Sequence, residues 1–236
     1  MRSGVGPAEH LRSVGIPVRV DLPGMGADLA DHGGVDIDCG YRGPARAQPI
    51  LHLAATFQSK FTASHEAPDP MLRLSDPRRS AALRARHRAP QSRGRGTVRL
   101  RSPDPAEPPL IALPDRCDPL DVERLAEGYR RGLAVACRPE IRNLCRDSPT
   151  LNPRDADELA TLIRTDGYHL PHVVGTCSMG PRPEEGAVVN TFGDVNGTER
   201  LTVIDASIAP NGPSGFTHIP TVMIAERFSE QIGARL

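Results

Sequence analysis

The chain has 236 residues, of which 38% are hydrophobic, so it is long enough to bury the core of one large domain or two small ones. Its 29 basic and 29 acidic side chains balance, which excludes an overall field favouring nucleic acid or an anionic membrane. The 24 prolines and 22 glycines, without any tryptophan, indicate a loop-rich fold.

The cysteine spacing and the amino-terminal residues exclude further classes of protein. The five cysteines form no Cys-x-x-Cys pair, so neither a zinc ribbon nor a disulfide framework is indicated. His169 and His172 flank Leu170-Pro171 and cannot share a regular helix face, so no metal site is predicted. No secretory signal and no membrane-spanning run is recognised, and the expected location is the cytoplasm.

The first forty residues predict ordered α/β material. A helix is expected over residues 8–14 and a strand over residues 17–22, followed by a glycine-rich turn at residues 24–29. That turn lacks the third glycine and the long preceding strand of a dinucleotide-binding loop, so we interpret it as a turn.

The stretch from residue 65 onward shows neither a period of two nor a period of 3.6, and no regular element is predicted there. Ten arginines lie between Arg73 and Arg101 against the single acid Asp76. Because this stretch offers no aromatic ring for stacking on bases, we interpret it as an exposed, poorly ordered segment without a nucleic-acid partner. Regular structure resumes with an alternating strand over residues 97–101.

Two helices are well signalled after this strand. The first has Asp118 as N-cap, Pro119 in its first turn and one apolar stripe. The second begins at Asp155, carries Glu158 three residues later and ends near Gly167. The stripe of the first helix is Val122, Leu125, Ala126, Tyr129 and Leu133.

Three short segments near the carboxyl end carry the residue types that do chemistry. Taken alone, the first is a histidine leading into a glycine turn, the second a buried strand ending in an acid, and the third a loop that breaks into a helix. Pro220 fits the first turn of that helix, whose amino end offers free N–H groups to an anion. The segments are Pro171-His172-Val173-Val174-Gly175-Thr176-Cys177-Ser178-Met179-Gly180, Leu201-Thr202-Val203-Ile204-Asp205-Ala206-Ser207 and Pro213-Ser214-Gly215-Phe216-Thr217-His218-Ile219-Pro220-Thr221-Val222-Met223-Ile224-Ala225-Glu226.

In order and spacing, these segments resemble the closing segments of the glucose-methanol-choline (GMC) oxidoreductases, a family of flavoproteins that includes choline dehydrogenases. They match the patterns H-x-V-G-T-C-x-M-G, V-x-D-A-S and P-x-x-x-T-[NH]-x-P-T, and the resemblance runs over residues 168–236. Residues 3–32 and 92–109 are similar to stretches from the middle of that family.

The resemblance implies an FAD-dependent enzyme that oxidises the CH–OH group of a small alcohol. His172 falls on the family's active-site histidine, which takes the hydroxyl proton while hydride passes to the flavin. His218 falls on the second active-site position and would hold the substrate oxygen or share the proton. An unperturbed imidazole titrates near about pH 6.5, so a neutral base is available at cellular pH.

The same resemblance implies four cofactor contacts. Asp205 and Ala206 fall where the family's backbone approaches FAD. Ile219 and Pro220 fall where the helix start meets the flavin ring, whose reduced form carries negative charge that a helix N-terminus stabilises.

The implied architecture is α+β. A mostly antiparallel sheet with helices would form the substrate domain, joined by the C-terminal strand and helix of the FAD-binding domain. The expected division is a mid-chain GMC segment over 1–64, an irregular Arg/Pro-rich stretch over 65–96, and the substrate-binding and FAD-contacting region over 97–236.

The βαβ unit with G-x-G-x-x-G that opens a GMC enzyme is not found in this sequence. The resemblance therefore implies the family's C-terminal portion, with a separate chain supplying the FAD-binding half. The alternative is a catalytically inactive remnant or interaction module that does not hold flavin.

Overall fold

The computed structural model describes residues 1–40, 51–61, 71–75, 82–89, 92–114, 118–147 and 153–234. They form two compact units, each assembled from stretches that are distant in sequence. Unit 1 comprises Met1–Asp31, Gly94–Asp115 and Pro171–Leu236, and unit 2 comprises His32–Arg93 and Arg116–Leu170. The contiguous division expected from the sequence stays a prediction.

The described elements are short strands and five helices. In chain order the strands are β1 Val5–Gly6, β2 Val20–Asp21, β3 Gly33–Gly40, β4 Leu51–Thr56, β5 Met71–Ser75, β6 Ala82–Ala89, β7 Thr97–Arg99, β8 Leu110–Ala112 and β9 Tyr168–His169. The helices are α1 Ala8–Ser13, α2 Pro119–Ala136, α3 Pro139–Arg142, α4 Ala156–Asp166 and α5 His218–Gly233. None of these helices is both long and apolar enough to cross a bilayer.

Unit 2 contains a five-stranded sheet in the order β4-β5-β6-β3-β9, with every neighbouring pair antiparallel. This sheet corrects the expectation that residues 65–96 are irregular, because β5 and β6 lie inside that stretch. Residues 82–89 read Ala-Leu-Arg-Ala-Arg-His-Arg-Ala, and arginine at every second position is a period of two. In the register with β3, the Cα partner of Asp36 is Arg86 and that of Asp38 is Arg84.

Helices α2 and α4 cover this unit's core. The Asp118 carboxylate accepts hydrogen bonds from the backbone N–H groups of Leu120 and Asp121, which confirms the predicted N-cap of α2. Asp155 caps α4 in the same way, as predicted. The apolar stripe of α2 packs with β3 and α4, and Tyr129 is fully buried.

Unit 1 is built mainly from turns and single bridges. Strands β1 and β2 form a parallel pair, and β7 and β8 form an antiparallel one. The predicted helix at residues 8–14 and strand at residues 97–101 are confirmed as α1 and β7. One core cluster lies under the carboxyl-terminal segments and includes Val188, Val189, Ile208 and Phe228.

One predicted strand was wrong. Residues 201–205 do not form a buried strand, since Thr202 makes only an isolated bridge with Asp194 and Leu201 is exposed. The apolar run Leu201 to Ile204 instead accompanies a turn, in which Val203 donates its N–H to the carbonyl of Gly193 at 2.9 Å. A short apolar run therefore did not distinguish a strand from an extended segment on a core edge.

Candidate active site

His172 lies on a segment of unit 1 whose backbone is held in place by contacts with residues 28–31. Two residues later, Val174 exchanges a pair of backbone hydrogen bonds with Ala30, at 2.9 and 3.0 Å. Gly175 follows with φ of 96°, and a Cβ built there would lie 2.3 Å from the carbonyl oxygen of Asp28. The glycine of the His172 segment is therefore required both by its positive φ and by the close approach of another backbone.

The surroundings of His172 fix its backbone and touch its ring. Its N–H donates to Oδ1 of Asp31 at 3.1 Å, and Asp31 is a buried carboxylate with 4% of its surface exposed. The imidazole meets the ring of Phe216 edge to face, with ring centroids 5.9 Å apart. His172 itself is half-buried, so its imidazole is anchored yet within reach of solvent or a small ligand.

The second predicted segment lies against the first. Cys177 donates its backbone N–H to the carbonyl of Ser207 at 2.9 Å, and Met179 donates to Ile208 at 2.8 Å. Asp205 begins the 3-10 turn Ala206–Ile208, where its Oδ1 accepts the N–H of Ser207 at 2.8 Å and the hydroxyl at 2.5 Å. Asp205 thus holds the turn that carries Ala206, and its predicted contact with a cofactor stays a prediction.

The pKa of the Cys177 thiol reflects its burial and its contact with the second segment. Burial raises the pKa of its thiol; a hydrogen bond with Ser207 opposes that rise, and the negative charge of Asp205 adds to it. The thiol is therefore kept neutral at cellular pH, in keeping with its packing against the unit 1 core. This position favours a packing role over nucleophilic chemistry.

The third segment ends at the start of α5. Helix α5 begins at His218, as the position of Pro220 in its first turn predicts, and no side chain caps its amino end. His218 is exposed and 61% of Ile219 is exposed, so the start of the helix lies at the surface of unit 1. An uncapped N-terminus of a 16-residue helix is a donor set that suits an anionic or polar ring edge.

The three segments thus converge in one unit. Backbone hydrogen bonds join the first segment to the second, and the His172–Phe216 ring contact joins the first to the third, two residues before His218. Sequence reasoning gave no role to Asp31 or Phe216. The only available signal was the Asp31-His32 pair within the amino-terminal resemblance, because Asp31 lies 141 positions from His172.

A sequence profile described as GMC oxidoreductase matches residues 90–225, more than half of the chain. The chain belongs to the GMC oxidoreductase family.

Characterised relatives match almost the whole chain. It is 29% identical over 252 residues to the 5-(hydroxymethyl)furfural oxidase of Methylovorus sp. (strain MP688), covering 98% of this chain and 48% of that protein. It is 29% identical over 265 residues to the oxygen-dependent choline dehydrogenase of Burkholderia pseudomallei, covering 98% of this chain and 46% of that protein. The chain therefore spans about half the length of the curated relatives it matches.

Solved structures show the same relation. The pyridoxine 4-oxidase of Mesorbium loti superposes with a TM-score of 0.88 at 25% identity, over 98% of this chain and 48% of that one. A formate oxidase of Aspergillus oryzae RIB40 superposes with a TM-score of 0.88 at 20% identity, over 99% of this chain and 51% of that one, and shows the fold alone.

Proposed function

We propose that this chain is the carboxy-terminal, substrate-binding and flavin-contacting part of an FAD-dependent oxidoreductase acting on the CH–OH group of a small alcohol. The observation that carries the proposal is that the three segments meet in one unit, with the His172 ring in contact with the third. The second segment hydrogen-bonds to the first at Cys177 and Met179, and Phe216 of the third meets the His172 ring. The third segment then leads into an uncapped helix start in the same unit.

The residues at the start of α5 fit FAD. The backbone N–H groups of His218 and Ile219 are unobstructed by a side-chain cap, and a Cβ built on Gly215 would meet nothing within 4 Å. A planar ring can therefore approach the loop and the helix start. Ile219 and Pro220 would lie against the ring, and the backbone at Asp205 and Ala206 would approach the cofactor. When bound, FAD supplies the two-electron acceptor for the hydrogen that leaves the alcohol carbon.

The chain's own residues would handle the proton and the alignment. His172 would accept the hydroxyl proton. The fold holds this residue in place, because its backbone N–H donates a hydrogen bond to the buried carboxylate of Asp31. His218 would hold the substrate oxygen or share the proton. Phe216 would limit the orientations of the His172 ring through the edge-to-face contact, which keeps the proton-accepting nitrogen aimed at one place.

The rest of the FAD contacts would come from the part of the relatives that this chain does not cover. The matched relatives are about twice as long as the region this chain covers. A dinucleotide is held chiefly through its pyrophosphate at a glycine-rich helix start, a feature the present sequence does not contain. We therefore propose that the part of the relatives outside the matched region supplies those contacts, and that this chain brings the histidines and the helix N-terminus.

The test is an absorbance spectrum of the purified chain with added FAD, alone and after co-expression with a polypeptide equivalent to the uncovered half of the relatives. Bound flavin that bleaches anaerobically with an alcohol, and no longer bleaches after His172→Ala, is the expected result. His169→Ala is the matched control, since it removes an imidazole three positions earlier in the sequence that has no assigned role and should leave bleaching unchanged.

Because the chain covers only about half the length of its relatives, one other function is also favoured. A chain that retains no flavin under either condition, at saturating FAD, would be a catalytically inactive GMC remnant or interaction module. Bleaching that survives His172→Ala would instead keep the flavoenzyme and remove His172 as its base.

A further inference from the structure

The sequence contains two Asn-Gly pairs, Asn196-Gly197 and Asn211-Gly212, to which the proposed function gives no role. An asparagine before glycine is open to deamidation, because glycine has no Cβ and its backbone nitrogen can approach the side-chain amide carbon closely. Both pairs belong to unit 1, but their surroundings differ.

The pair Asn196-Gly197 is held in a closed turn. Nδ2 of Asn196 donates to the carbonyl of Ala187 at 3.1 Å, and its backbone N–H donates to the carbonyl of Val188 at 3.0 Å. Gly197 follows with φ of 74°, and a Cβ built there would lie 2.7 Å from Cγ1 of Val20. The nitrogen of Gly197 therefore cannot swing toward the amide carbon of Asn196 without breaking these contacts.

The pair Asn211-Gly212 lies in a bend where Asn211 is exposed, and a guanidinium is held against the Asn211 side chain. Nη2 of Arg95 donates to Oδ1 of Asn211 at 3.1 Å, while Nη1 donates to the carbonyl of Gly94 at 3.1 Å. A cation bonded to a carbonyl oxygen makes the carbon more electrophilic and stabilises the negative charge that develops on the oxygen during nucleophilic attack. Arg95 is thus placed as an oxyanion donor for the Asn211 amide.

We propose that Asn211 is a self-modification site, at which Arg95 promotes deamidation of the chain's own amide. The backbone nitrogen of Gly212 loses its proton to water and attacks Cγ of Asn211, so that a C–N bond forms and the negative charge passes to Oδ1. Collapse of this intermediate breaks the bond to the side-chain nitrogen, which takes up a proton and leaves as ammonia, and a five-membered succinimide remains. Water then opens the ring at either carbonyl and gives aspartate or isoaspartate. The sum is amide plus water giving acid plus ammonia.

The product differs in charge and in backbone length. A carboxylate replaces a neutral amide beside the Arg95 guanidinium, and isoaspartate adds one atom to the main chain between residues 211 and 212. Residue 211 lies five positions before Phe216, whose ring contacts His172. The modification therefore falls in the loop that leads to the candidate active site, and it does not depend on flavin.

The test is peptide mapping by mass spectrometry of the purified full chain during prolonged incubation at neutral pH. In the folded chain, conversion at Asn211 should run ahead of conversion at Asn196, whereas in urea the two pairs should convert at similar rates. Arg95→Gln removes the cation and should slow conversion at Asn211 by roughly fivefold, since an exposed donor contributes less than one in a buried oxyanion hole. Arg182→Gln is the matched control, because it removes another exposed arginine of unit 1 and should leave the rate at Asn211 unchanged.

Several results would overturn the proposal. They are conversion at Asn196 as fast as at Asn211 in the folded chain, an unchanged or faster rate at Asn211 in folded Arg95→Gln, and no conversion at Asn211. In urea, Arg95→Gln and the unsubstituted chain should convert at one rate, which ties the effect to the folded contact. A protein-isoaspartate methyltransferase should methylate the converted peptide that contains residue 211, and a converted peptide that it leaves unmethylated would reject the succinimide route.

Discussion

Gly175 offers a sharp test of how the His172 segment is held. The substitution is Gly175→Ala, and its matched control is Gly186→Ala, because the two glycines have nearly the same φ, 96° and 95°. A Cβ at Gly186 meets nothing within 4 Å, whereas one at Gly175 lies 2.3 Å from the carbonyl oxygen of Asp28. The two variants therefore share the cost of a positive φ and differ in the backbone contact.

The magnitude follows from that difference. A positive φ costs an L-residue about 1–2 kcal/mol, partly offset by about 0.4–1 kcal/mol from the less flexible unfolded chain. At Gly175 the backbone must also retreat by at least 0.7 Å, from 2.3 Å to the 3.0 Å limit that real Cβ atoms respect. That retreat strains the Ala30–Val174 pair, whose two hydrogen bonds are worth roughly 1–3 kcal/mol together.

Urea unfolding followed by circular dichroism gives the comparison. We expect Gly175→Ala to lower the free energy of unfolding by roughly 1–3 kcal/mol more than Gly186→Ala does. Equal losses in the two variants would refute the argument, because they would show that the Asp28 contact imposes no constraint on the His172 segment.

Three further outcomes are expected. Burial, aided by the charge of Arg99, lowers the pKa of His10 below 6.5, so the unfolded chain takes up the proton first. The free energy of unfolding should fall as pH drops below 6.5, and His10→Gln should flatten that part of its pH profile. In urea unfolding, Asp118→Ala should lower the free energy of unfolding by about 1 kcal/mol, and Asp118→Asn should lower it by less. The reason is that only the alanine variant loses both hydrogen bonds of the α2 cap. Because burial raises the pKa of Cys39 to about 12 and Cys137 is exposed, iodoacetamide should label Cys137 in the native chain and Cys39 only after unfolding, as peptide mass mapping would show.

These outcomes would be contradicted by specific results. An unchanged pH profile in His10→Gln would mean that the His10 proton is not linked to folding. A loss for Asp118→Asn as large as for Asp118→Ala would show that the cap bonds do not carry the stability of α2. Equal labelling of Cys39 and Cys137 in the native chain would contradict the burial of Cys39.

The sequence by itself determined the local features and the family. The caps Asp118 and Asp155, the stripe of α2 and the start of α5 were readable because each depends on residues within a few positions of one another. The GMC resemblance was readable because the family preserves short, ordered motifs, and the sequence profile confirmed it.

Tertiary structure decided the pairings between distant residues. Strands β5 and β6 went unpredicted, because an arginine-rich stretch becomes a strand only when a neighbour such as β3 pairs with it. The opposite error occurred at residues 201–205, where an apolar run was not paired along its length and stayed outside a sheet. The contact from Asp31 to His172 spans 141 positions, far beyond the reach of any local pattern. Local patterns specify which element a segment can form, but pairing and burial depend on which distant segments meet it, and only the folded chain brings those together.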